Sequence, residues 1–493
     1  MPIHEILACC GLAFVSGLAI HALRGRVPIT VDESYLWYGA LRVREGQLPL
    51  RDFRSYEPGR YWWVTAFMRV LGPGADSVRI AALAFYVCAQ IAALVGLRLA
   101  GLDWGAIGLT SLLLTLWADP IYKLFEPGLL LFGFLAAVLL LLDPAPGPAL
   151  LAGAVVGVAA MFGLNYGFYL GAAISAVALA VIAKAPDLDT TAVLLAGLAG
   201  GALGSAPLWI AMLLSREFRV TLYERRVLAL LRRGTTNLPL PIPWPWRPVP
   251  WAWTKTSAFM RGFGSLSFVA LPILGFGSLL WMALSSWTQI QVHAAGLAAA
   301  VLLATAQHHP FSRADLLHLC QVMPLLAICA MAIAGPEGSV AALPAALLCA
   351  GAVAMSWRGL KRRLRGGRVK TPRHVDLVIE AVRDLRATHL RADESVLALP
   401  QLVFVYPALG LQSPVYDTYC VYPASDVDQA RMLGEIERSG VRLAAIEQRA
   451  LDGRADLLFS GTHPRVWAHL NQMFTPLPPI DSLPEVHFFL RRG

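Results

Sequence analysis

The chain has 493 residues, 57% of them hydrophobic and only 15% charged, with a mean hydropathy of +0.57. That balance excludes an ordinary soluble enzyme and, with apolar runs recurring from residue 6 to residue 357, predicts a polytopic helical membrane protein. The formal charge of +9 sits in loops, which points to anionic headgroups or phosphates and away from nucleic acid.

Taken in order, the first span covers about residues 5–23, and the next stretch, Val31 to Trp63, is neither a span nor an ordinary loop. It opens on Asp32 and Glu33, closes on Glu57, Pro58, Arg60 and the aromatic run Tyr61-Trp62-Trp63, and carries five arginines between Arg42 and Arg60. Residues 32–45 and 60–71 read as two short interfacial helices, the first with Tyr35, Leu36, Tyr38 and Leu41 on its stripe. Ten further apolar runs follow, at about 78–99, 104–117, 128–142, 149–164, 168–183, 191–214, 265–287, 290–306, 319–334 and 339–357, making about eleven spans. Gly197, Gly200, Gly201, Gly204 and Ser205 give the 191–214 run a face for close helix approach.

Three loops interrupt this series. Residues 118–127 hold Asp119, Lys123 and Glu126. Residues 215–264 hold six prolines and four tryptophans between Pro239 and Trp253, and read as a flap anchored at headgroup level. Residues 307–318 hold His308, His309, Arg313, Asp315 and His318. With eleven spans these loops share one side with the first loop, about 24–77, and with the C-terminus. The domain expectation is a membrane part over 1–357, a basic linker over 358–372 with no acidic residue, and a small α/β domain over 373–493. In that domain, helices at 373–389 and 427–438 and strands at 395–399, 441–446 and 487–490 are expected. The seven cysteines have neither zinc spacing nor the look of a disulfide framework, and no Gly-rich phosphate loop is present.

Each polar group has a structural and a chemical reading. Asp32 and Glu33 could cap a helix, or supply a general base where the chain leaves apolar surroundings. Glu57 could pair with Arg54 or Arg60, and Lys123 with Asp119 or Glu126. His308, His309 and His318 could ligate a metal, although their spacing is no known single-helix ligand pattern. Arg313 could bind an anion or pair with Asp315.

The acidic pair after the first span, the Tyr35-to-Gly46 spacing and the acid-Pro-Gly-Arg-Tyr-Trp run at Glu57–Trp62 resemble the GT-C membrane glycosyltransferases. The nearest branch is that of protein O-mannosyltransferases and lipid A aminoarabinose transferases. The resemblance implies transfer of a sugar from a polyprenyl-phosphate donor to a hydroxyl of a lipid, glycan or protein, on the periplasmic side of a bacterial inner membrane. It implies Asp32 as the catalytic carboxylate, with Glu33 beside it, and Glu57 and Arg60 as donor-positioning residues. Through Glu57 it also implies a divalent metal as an optional cofactor, for which His308 and His309 are the further candidate ligands on the residue reading above. Those relatives have lysine where Pro58 stands, and Arg60 is the cation available to replace it. The Arg313–His318 run is similar to a late-loop motif of the bacterial members, which implies Arg313 near the donor phosphate. A transporter or flippase for lipid-linked sugars is the rival reading, and a membrane-anchored binding protein a third; neither explains acids clustered in loops.

Overall fold

The computed structural model describes residues 1–24, 29–186, 188–233, 237–333, 346–355 and 373–492. The expected basic linker over 358–372 lies outside them. The chain forms two compact units, one of Met1–Arg26 with Arg79–Gly367, the other of Val27–Val78 with Arg368–Gly493.

The first unit is helical. Among the described residues, five helices are long and apolar enough to cross a membrane: Ile3–Leu23, Ala75–Leu99, Phe125–Leu142, Leu164–Lys184 and Ala258–Leu284. Thr190–Gly204 and Ala206–Leu214 together form a sixth candidate, bent by 56°. Each remaining apolar run also contains a helix, but a shorter one: Trp104–Leu116, Pro146–Phe162, Ala294–Ala306, Met323–Ile333 and Ala346–Met355. A perpendicular span needs about 20 residues. Ala294–Ala306, at 13 residues, is instead buried on nearly every side by its neighbours.

Small residues set the closest packing. A Cβ added to Gly153 would lie 1.9 Å from the Gly197 carbonyl oxygen, and one on Gly200 would lie 2.0 Å from that of Leu150. Helices Pro146–Phe162 and Thr190–Gly204 therefore meet backbone to backbone, as glycine-rich faces in a bilayer allow. Some polar groups inside the bundle pair with one another: Gln90 Nε2 donates to Ser16 Oγ at 2.8 Å, and Thr115 Oγ1 donates to the Ser111 carbonyl at 2.7 Å.

The second unit is built on a four-stranded sheet: β1 (Val396–Leu399), β2 (Leu443–Glu447), β3 (Phe474–Pro476) and β4 (Val486–Arg491), in the order β1-β2-β4-β3. β1 runs parallel to β2 with Val396 opposite Leu443, while β4 is antiparallel to both its neighbours. Alternate side chains point to opposite faces. Leu397, Leu399, Ala444, Ile446 and Phe489 pack with Met432 and Ile436 of helix Asp426–Arg438 and with Val466 and Leu470 of helix Pro464–Met473. Val396, Ala398, Leu443, Ala445 and Phe488 face the other way, onto Val375, Val378 and Val382 of helix Arg373–His389. β3 and the helix before it were not expected from the sequence.

Tyr35 and Tyr38 of the first loop belong to that second core, with Tyr56 packed at its edge. The loop forms helices Val31–Arg44 and Pro58–Leu71, close to the expected bounds. They are pinned together where Thr65 Oγ1 donates to the Ala40 carbonyl at 3.0 Å. Gly39 is required at this crossing, because a Cβ there would lie 2.2 Å from the Tyr61 ring. The tyrosine stripe of the first helix thus buries itself against the C-terminal sheet.

Candidate active site

In the second unit the site begins with the start of helix Val31–Arg44. Thr30 is its N-cap: Thr30 Oγ1 accepts from the Glu33 N–H at 3.1 Å, and Glu33 Oε2 accepts from the Thr30 N–H at 3.3 Å. This capping box satisfies two otherwise orphaned donors. The fully buried Glu33 carboxylate is therefore part of the helix start, while Asp32, beside it in the first turn, leaves the capping to its neighbours.

Asp32 is half-buried, and its Oδ1 accepts a hydrogen bond from the Tyr419 hydroxyl at 2.9 Å. Burial, and then the charge of Asp32, push the Tyr419 phenol well above its usual range, so it stays protonated and remains a donor. The Tyr56 phenol is raised in the same way, by burial first and Asp32 second. Tyr35 links the two, its ring centroid 5.3 Å from that of Tyr56 and 5.4 Å from that of Tyr419. The Arg60 guanidinium lies over the Tyr56 ring at 4.9 Å, so a buried cation stands one aromatic ring away from the acid's surroundings. Glu57, also buried, is the N-cap residue of helix Pro58–Leu71 but does not cap it with its side chain. Pro58 has a local reason to be there: at the first helical position its missing N–H costs nothing and its fixed φ suits the helix.

Segment 413–422 holds this loop from the C-terminal side. The Arg54 N–H donates to the Tyr416 carbonyl at 2.8 Å, Tyr416 Oη donates to the Leu50 carbonyl at 2.7 Å, and the Ser413 N–H donates to Tyr38 Oη at 3.1 Å. Arg54 and Asp417 form an ion pair, which raises the Arg54 pKa further. Tyr419 was not among the residues expected from the sequence. The only signal was a local density of tyrosines, at Tyr416, Tyr419 and Tyr422, in a stretch without helical or strand periodicity.

The remaining expected residues lie in the first unit. Glu126 is buried in the first turn of helix Phe125–Leu142, and Lys123 lies 5.8 Å from the Tyr122 ring centroid, in the short loop that also holds Asp119. Asp315 caps the short helix Leu316–Cys320. Its Oδ1 accepts from the His318 N–H and lies 2.8 Å from His318 Nδ1, and its Oδ2 accepts from Arg313 Nε at 3.0 Å. Burial alone would raise this carboxyl, but the His318 hydrogen bonds and the His318 and Arg313 charges bring it down to about 2. Arg313 Nη1 also donates to the Leu238 carbonyl at 3.0 Å, so the arginine both pairs with Asp315 and holds the Trp/Pro-rich flap. Trp253 Nε1 donates to the Ala314 carbonyl at 2.8 Å, and Asn237 Nδ2 donates to Ser312 Oγ at 2.8 Å. His309 is buried against the His318 ring at 4.9 Å and the Tyr166 ring at 5.5 Å. Burial, with the charges of His318 and Lys123, holds its pKa well below the usual histidine value, so its ring is neutral.

Among the described residues no group of three or more His, Cys, Asp or Glu side chains is disposed to hold a metal ion. His308 Nδ1 lies 2.8 Å from the Tyr169 hydroxyl.

No protein-family model matches the chain, and no curated protein does. Among solved structures, it is similar to ArnT from Cupriavidus metallidurans bound to undecaprenyl phosphate. That match has a TM-score of 0.56 at 13% identity, covering 99% of this chain and 98% of that one. The oligosaccharyltransferase of Archaeoglobus fulgidus also matches, at 9% identity and a TM-score of 0.44, over 89% of this chain and 69% of that one. The end-to-end likeness to ArnT gives the architecture: this is a multi-pass membrane protein with the GT-C fold that its first loop resembles in sequence.

Proposed function

We propose that the protein is an integral membrane glycosyltransferase. It moves a sugar from a polyprenyl-phosphate donor to a hydroxyl of a lipid, glycan or protein acceptor, at the extracytoplasmic face of a bacterial inner membrane. The observation that carries this reading is the end-to-end fold likeness to a protein solved with undecaprenyl phosphate. The position of Asp32, at a helix start directly after the first apolar helix, supports it.

In the reaction the acceptor oxygen bonds to the anomeric carbon while the bond from that carbon to the phosphate oxygen breaks. The electron pair leaves on the polyprenyl phosphate, and the acceptor proton passes to the Asp32 carboxylate. One base and a direct displacement give inversion. Arg60 is assigned to negative charge developing on the leaving phosphate, for which a guanidinium group is well shaped, and the sequence resemblance alone supports a donor-phosphate role for Arg313. Glu57 is assigned to positioning the donor headgroup, and Asp119, Lys123 and Glu126 to a secondary polar loop. Glu33 supports the base by fixing the helix start.

The test uses a strain lacking the protein, in which an unused polyprenyl-phosphate sugar should accumulate and be detectable by lipid mass spectrometry. Membranes from that strain, supplied with purified protein, should lose the accumulated lipid; with the Asp32→Asn variant they should not. Normal consumption by a well-folded Asp32→Asn variant overturns the assignment. A retained anomeric configuration in the product overturns the single displacement.

A further inference from the structure

We infer that Tyr419, 387 residues away in sequence, is a positioning residue for Asp32, so that the C-terminal part of the same unit tunes the base. This rests on the glycosyltransferase reading above. The geometry has three parts. The Tyr419 hydroxyl donates to one carboxylate oxygen of Asp32 at 2.9 Å, and a donor on one oxygen both orients the carboxylate and stabilises its charged form. The Tyr419 ring is fixed against Tyr35, which is buried in the C-terminal core, and Tyr35 Oη donates to the Arg54 carbonyl. The segment bearing Tyr419 is tied to the first loop at Leu50, Arg54 and Tyr38 by the bonds of Tyr416, Asp417 and Ser413, so the hydroxyl arrives on a braced stretch of backbone.

A side chain that acts only by packing would affect stability. One that holds the base should also change its proton affinity, and the pH profile separates the two. A general base works only when deprotonated, so the rate falls as pH drops through its pKa. Removing a donor from the charged form raises that pKa, and the acidic limb of the profile moves to higher pH.

The experiment measures the loss of accumulated polyprenyl-phosphate sugar in membranes of the deletion strain, as a function of pH, for wild type, Tyr419→Phe and Tyr416→Phe. Tyr416→Phe also removes a hydroxyl that ties the two segments, but not the one on Asp32. Tyr419→Phe should lower the plateau rate about tenfold and move the acidic limb up by about one pH unit. Tyr416→Phe should leave the limb where the wild type has it. A Tyr419→Phe limb that coincides with wild type overturns the inference. If Tyr419→Phe does not fold, a monofluorinated tyrosine at position 419 serves instead. Its more acidic phenol is a stronger donor and should move the limb down, and an unmoved limb again overturns the inference. Failure of the wild type to consume the lipid sinks the glycosyltransferase reading itself, so the two failures are distinct.

Discussion

Asp32 and Asp315 are both carboxylates at the start of a helix, and they are held in opposite ways. Asp315 is the N-cap itself, and its partners, Arg313 and His318, lie within three residues of it. Asp32 leaves the capping to Thr30 and Glu33 and takes a tyrosine hydroxyl from the far end of the chain. The first arrangement closes on itself and holds the carboxyl at about 2, which makes it a poor proton acceptor near neutrality and a good structural joint. The second depends on the tertiary fold and leaves the carboxylate half-buried. A motif that is compact in sequence is thus the more structural of the two, and the acid with a distant partner is the one to which the proposed mechanism gives the base.

The largest expected effect tests the chemical side of this contrast. Asp32→Asn should lower sugar transfer by about 10²–10⁴-fold, the usual contribution of a positioned base, as measured by donor-lipid consumption. The next test falls beside the segment that holds Asp32 from a distance, next to Thr462, whose carbonyl accepts from the Ala424 N–H at 3.0 Å. His463, stacked on Phe459 at 5.0 Å between centroids, has its pKa lowered to about 4, chiefly by burial. The unfolded chain takes up this proton near pH 6.5 and the folded chain only near 4, so stability is intact above 6.5 and declines as pH falls toward 4. The loss totals about 3 kcal/mol. Amide hydrogen exchange over residues 459–470 should show it, and His463→Gln should flatten the dependence; equal protection at pH 4.5 and 7 would contradict it. Asp417→Ala removes the carboxylate that pairs with Arg54. It should cost about 2–3 kcal/mol, below the range for a fully buried pair because Arg54 reaches solvent, read as a drop in thermal midpoint.

How much of this was legible in the sequence follows from the same contrast. The helices at Val31–Arg44 and Pro58–Leu71, three of the four strands, and the helices Arg373–His389 and Asp426–Arg438 carry local signals: periodicity, turn residues and caps. The Thr30-x-x-Glu33 capping box is itself a sequence signature, and it separates Glu33 from Asp32. What the tyrosine stripe of the first helix packs against was not legible, because Tyr35 and Tyr38 would suit a headgroup layer as well as a protein core. Tyr419 was hidden for a related reason: it lies outside regular structure, where no period marks a face. Span length was legible only in part, because enclosure by neighbouring helices, as at Ala294–Ala306, makes a run as apolar as lipid contact does.

The smallest expected effect is the one that separates the two carboxylates most cleanly. The folded pKa of Asp315 lies below its unfolded value, so its contribution to stability is present above pH 4 and is lost as pH falls toward 2. The loss is about 2 kcal/mol. Asp315→Asn keeps an oxygen to accept the His318 N–H but loses the charge that His318 and Arg313 complement. At pH 7 it should therefore unfold at the lower midpoint that the wild type reaches only in acid. Asp32→Asn should do the reverse, because its amide oxygen can still accept from Tyr419 and half-burial leaves little desolvation to offset: the thermal midpoint should barely move while transfer collapses. If Asp32→Asn destabilised the protein as much as Asp315→Asn, Asp32 would be a structural joint like its counterpart. The difference between local and distant partners would then say nothing about which acid does chemistry.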